Sequence, residues 1–120
     1  MRIALLMAGL LLGASPAMGQ GLCVEPSMPV PVDGTAATAD QMRTAMAAAR
    51  SYIAESGLYL ECLTKEIDDA KSQAASAGQA FEPAIEANAK AKMDASKKAQ
   101  EKVGTTVTNA MLAYKNAHPN

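Results

Sequence analysis

Cys23 and Cys62 are the residues of this chain with the clearest chemistry. Two thiols in a small chain pair readily wherever the surroundings are oxidising. No Cys-x-x-Cys or Cys-x-x-Cys-His spacing occurs, so thioredoxin-type exchange and covalent haem attachment have no residues to run on. The single histidine, His118, sits in the C-terminal tail. There it is a poor general base, and with two distant cysteines it does not supply the converging ligands of a metal site. No glycine-rich phosphate loop or nucleophile elbow appears. The expectation is a chain with no catalytic, cofactor-binding or metal-binding residues, and not an enzyme.

Three weaker constellations remain. Met28, Met42 and Met46 carry soft thioethers that suit copper, although apolar packing explains them better. Glu66, Asp68 and Asp69 could hold calcium, but acids at that spacing on a helix seldom converge on one ion. Tyr52, Tyr59 and Tyr114 could form an aromatic contact patch, or cover an internal interface.

The N-terminus sets the compartment. Arg2 is followed by the apolar run Ile3 to Leu12 and then by small residues ending in Ala17-Met18-Gly19. That pattern is an export signal over residues 1–19, cleaved near Gly19/Gln20, with a cut after Ala17 as the second choice. The product is periplasmic or secreted. The apolar run is too short to serve as a comfortable membrane span. Cys23 also stands where a bacterial lipoprotein carries its acylated cysteine, but Leu22 and Gln20 replace the small and aliphatic residues that such sites want. Pairing with Cys62, pairing between chains and lipidation of Cys23 therefore all stay open. Only the last would give a stable membrane anchor.

Composition narrows the class further. About 100 residues remain after cleavage, enough for one domain. Apolar residues make up 49% of the chain and aromatic ones 3%, with no tryptophan. This favours helices in small-residue contact. The formal net charge is −1, without the basic bias of a nucleic-acid binder.

The elements follow from spacing. Residues 20–37 hold Pro26, Pro29, Pro31 and Gly34 among Val24, Met28, Val30 and Val32, which forbids a helix and favours an extended polyproline-like arm. Thr38 and Gln41 form a capping box, so a first helix starts near Ala39 and runs to about residue 77, before Gly78. Its seam is Met42, Met46, Ala49, Ile53, Ser56, Leu60, Leu63, Ile67, Ala70, Ala74 and Ala77, in steps of four and three. Pro83 opens a second helix, to about residue 117. Its seam is Ile85, Ala89, Lys92, Ser96, Ala99, Val103, Thr106, Ala110, Ala113 and Ala117, flanked by Met93, Val107, Met111 and Tyr114. Gly104 to Thr108 is the poorest helical stretch and a candidate break.

A short turn makes the helices antiparallel neighbours, and residues 38–120 a helical hairpin. Folding one seam on the other places 74 opposite 85, 67 opposite 92, 60 opposite 99, 53 opposite 106 and 42 opposite 117. The arm spans ~47 Å as polyproline from Thr38 back to Cys23. Thr38 to Cys62 is ~36 Å of helix. The arm can thus run back along the first helix and reach Cys62, with Tyr52 and Tyr59 on the face that receives it.

Tyr59-Leu60-Glu61-Cys62-Leu63, together with Cys23 in a proline-rich arm, resembles small exported helical proteins of proteobacteria. The resemblance covers the arm and first helix. It implies an exported all-helical protein with a structural disulfide and brings no active site.

The sequence thus predicts an all-α, coiled-coil-like antiparallel hairpin with a proline-rich arm tied to helix one by Cys23 and Cys62. Two alanine-rich helices bury little alone, so a protein partner or a homodimer is expected, with no nucleic acid. The function expected is a non-enzymatic structural or protein-interaction role in the periplasm. The alternatives are a small ligand- or metal-binding protein of the envelope, or a chaperone-like holdase.

Overall fold

A computed structural model of the protein describes residues 23–120, and the expected export signal with its cleavage point lies outside them. Two helices follow the arm: α1 from Ala39 to Ser76 and α2 from Pro83 to Ala117. At the start of α1, Gln41 N–H donates to the Thr38 hydroxyl and Thr38 N–H donates to the Gln41 side chain, which is the expected capping box. At its end the Gln79 and Gly78 amides donate to the carbonyls of Ala74 and Ala75. Gly78 has φ 64, the left-handed conformation in which a glycine closes a helix with this paired bonding. Pro83 occupies the first turn of α2.

The second helix does not break. It runs through Gly104 to Thr108, where the Thr108 hydroxyl donates to the Gly104 carbonyl one turn back. Such back-bonding lets a threonine sit inside a helix without freeing a backbone group. The His118 side chain folds back on the end of the helix. Its ring stacks on Tyr114 at 4.2 Å, and Nδ1 bonds the Tyr114 carbonyl at 3.0 Å.

The arm has a three-residue repeat. Cys23, Pro26, Pro29 and Val32 are half-buried, while Val24 and Val30 stand 81% and 89% exposed. A period of three is that of polyproline II, which turns every third side chain the same way. Asp33 ends the arm: its carbonyl accepts from the Ala36 and Ala37 amides and its carboxylate from the Thr35 amide. This aspartate turn redirects the chain into the Thr38 cap.

The helix interface differs from the expected seam in two respects. Tyr52 and Tyr59 are buried, in place of Ile53 and Leu60; Ile53 is left exposed. A second partner explains the rotation. The arm lies on one flank of α1, so the buried stripe turns toward it and takes in the aromatic positions. On α2 the buried residues Ala89, Ser96, Val103 and Ala110 recur every seventh residue, as a helix seam requires.

The register is also shifted by about one turn. Met42 packs with Ala110, Met111 and Tyr114 rather than opposite Ala117. Val103 and Ala99 pack with Ala49 and Tyr52, so 99 does not face 60. The connection accounts for the shift. Phe81 is half-buried, and its ring lies 5.5 Å from the Lys71 ammonium. The chain thus runs back beside the last turn of α1 before α2 begins. Lys71 also reaches Glu86 across the helices at 3.5 Å. The Glu86 pKa is lowered, first by its bond to Lys90 and then by the charge of Lys71.

Ser56 is the weak point of the interface. It is completely buried, and its hydroxyl has no partner among the described residues. An unpaired buried hydroxyl costs ~1–3 kcal/mol. Ser56→Ala is therefore expected to raise stability by about 1 kcal/mol, read from the midpoint of urea unfolding. A destabilised variant would show that the hydroxyl is satisfied in solution.

Candidate functional site

The best-defined constellation lies where the arm begins. Cys23 and Cys62 are joined in a disulfide, with Cα atoms 5.6 Å apart. This ties the arm to α1 within the chain and leaves no free cysteine among the described residues. The bond is compatible with an oxidising compartment. No helix among the described residues is long and apolar enough to cross a membrane.

One acid stands against the staple. A carboxylate oxygen of Glu66 lies within 4.8 Å of both sulfurs. The three groups have the closeness of a metal site, but the sulfurs are bonded to each other and offer no thiolate ligand. The carboxylate instead disfavours an approaching thiolate, which slows exchange at the disulfide. Tyr59 lies beside them. Its pKa is raised above the ordinary tyrosine value, chiefly by burial and then by Glu25 and Glu66. Its hydroxyl therefore stays neutral through the physiological range.

The second constellation lies at the other end of the arm. Pro29, Val32, Ala49, Val103 and Val107 line an apolar groove of about 190 Å³, with Lys102 on its rim. Ligand pockets usually enclose ~300–1,000 Å³, so this groove is a seam between the arm and both helices. The arm therefore touches α2 as well as α1. Gly34 marks the closest approach: a side chain built on it would begin 1.9 Å from the Ala110 carbonyl oxygen. Only a glycine lets two backbones meet this closely.

The residues singled out in the sequence have separate fates. Tyr52 and Tyr59 are buried and Tyr114 is half-buried against the Ala37–Met42–Ala110 cluster. The first two are thus internal packing rather than a surface open to a partner. Met42 is buried in that same cluster, and Met28 lies on the groove. Lys65 pairs with Asp69 at 2.6 Å, one turn along an exposed face. Gly34 and Phe81 carry structural weight that periodicity did not reveal. The signal for Gly34 was its place in an Asp-Gly turn pair; for Phe81, it was being the only phenylalanine, set inside a loop.

These features define a class: a two-helix hairpin with a disulfide-stapled extended arm packed along it. No family model, curated protein or solved structure matches the chain.

Proposed function

We propose that this is a non-enzymatic structural or protein-interaction protein of the periplasm or another oxidising space outside the cytosol. The observation that supports it is the arm. It is fixed at one end by Cys23–Cys62 and at the other by the approach of Gly34 to α2. Between those points it holds Val24 and Val30 outward, almost fully exposed. An extended segment already held straight loses little entropy on binding, and outward apolar side chains on it suit a protein partner.

A photo-crosslinking residue at Val30 of the exported, oxidised protein tests the reading in its own cells. A discrete protein adduct is expected from Val30 and not from the exposed Gln79 in the turn between the helices, beyond the reach of the arm. Equal labelling from the two positions would remove the arm as the contact surface. The intact mass of the same sample reports the processing. A chain from Gln20 lacking two hydrogens fits the proposed location, and a chain beginning at a lipid-bearing Cys23 excludes it.

A further inference from the structure

The face of α1 turned away from both the arm and α2 has its own order. Arg43, Ala47, Arg50, Ala54, Gly57, Glu61, Thr64 and Asp68 follow one another in steps of four and three. That spacing places them on one stripe of a helix. All are exposed except Gly57, which is half-buried. The two arginines occupy the N-terminal half, the two acids the C-terminal half, and small residues the centre. The stripe is complementary to itself when reversed. About a two-fold axis level with Glu55 and Ser56, Arg43 stands opposite Asp68, Arg50 opposite Glu61, and Ala54 opposite Gly57.

Two further observations bear on this face. Gly57 lies in the middle of a 38-residue helix, and a side chain added there would meet nothing within 4 Å. A glycine at such a place weakens the helix, and no contact among the described residues requires it. It does permit close approach of a second backbone. In addition, Arg50, Glu61 and Asp68 form no ion pair among the described residues, and Arg43 pairs only with Asp40, one turn away on the exposed surface.

We propose that two copies of this protein pair through α1, antiparallel, crossing at Ala54 and Gly57, with the Arg43–Asp68 and Arg50–Glu61 contacts each made twice. This interface deepens the protein-interaction reading and rests on it. It names the partner as a second copy and leaves the outer side of the arm free. A two-fold contact is the commonest way identical chains associate, and it demands this kind of self-complementary surface.

Reversal of single charges tests the register. The probe is the oxidised chain without its export signal, followed by sedimentation equilibrium. The wild-type protein should form a dimer that weakens as salt rises. Arg50→Glu sets glutamate against glutamate twice, and Glu61→Arg sets arginine against arginine twice. Each variant alone should dimerise about tenfold more weakly or worse. Mixed in equal amounts, they should form a heterodimer near wild-type strength, because both pairs are then opposite in charge. These positions are exposed, so folding is not at issue, and circular dichroism of each variant confirms it. A wild-type monomer at high concentration overturns the proposal, and so do single variants that still dimerise normally or a mixture that fails to recover. None of these outcomes alters crosslinking at Val30, which reads the arm alone.

Discussion

Replacing both Cys23 and Cys62 with alanine is expected to lower the melting temperature by roughly 15–30 °C. The bond closes a loop with a sequence separation of 39. On the chain-entropy account, freeing a loop of that length costs ~4 kcal/mol, and 1 kcal/mol moves the midpoint of a domain this size by ~4–8 °C. The native-state consequence adds to this. Cys62 lies on the arm side of α1, and the half-buried Pro26, Pro29 and Val32 follow Cys23 along the same track. Without the staple, the first residues of the arm lose their cross-link to α1, and the aromatic surface of Tyr59 loses cover. Reduction of the wild-type protein should reproduce the alanine variant in a thermal scan. A fall of less than about 5 °C in both would mean that arm packing alone holds the structure, and that the bond is incidental to stability.

The parts of this fold that were legible in the sequence are those set by local rules. Thr38 and Gln41 marked the start of α1, Gly78 its end and Pro83 the start of α2, because caps are read from a few adjacent residues. The Cys23–Cys62 pairing was also within reach, since a polyproline arm and a helix have fixed rises and the two lengths could be compared. What failed was long-range. Ile53 and Leu60 fit the seam as well as Tyr52 and Tyr59 do in periodicity, and only the arm on one flank decides between them. The register failed because it assumed the shortest turn, whereas Phe81 docks back beside Lys71. Whether the helix breaks at Gly104 stayed open because β-branched residues follow it, and contacts of Val103 and Ala110 on the neighbouring turns hold the helix there. Tertiary packing overrode a weak local preference.

Gly34→Ala is expected to be as damaging as any single substitution outside the staple. The added methyl would sit 1.9 Å from the oxygen, 2.7 Å from the carbonyl carbon and 3.0 Å from the Cα of Ala110. All three are backbone atoms of α2, and the oxygen belongs to a helix-forming carbonyl, so the helix cannot give way cheaply. The arm must lift instead, drawing Val32 from its contact with Ala37, Met42 and Ala110. Forcing an extra methyl into a filled contact costs up to ~3 kcal/mol, or up to roughly 12–24 °C in midpoint. Gly104→Ala is the control, because nothing lies within 4 Å of its added carbon. It should be neutral or stabilise by up to ~1 kcal/mol. The two fixings of the arm also make a prediction in combination. Once Cys23 and Cys62 are alanines, the arm is held mainly at its Gly34 end, and losing that end releases it whole. An unstapled arm escapes the clash by undocking, which caps the cost at its own docking energy, so Gly34→Ala in the cysteine-free chain should cost less than in the stapled one, where the arm is held against the clash. The difference is a coupling energy on the order of 1 kcal/mol, measured by a double-mutant cycle in urea. Strict additivity would mean that the two ends of the arm dock independently, and that the arm is not the single rigid element on which the interaction reading depends.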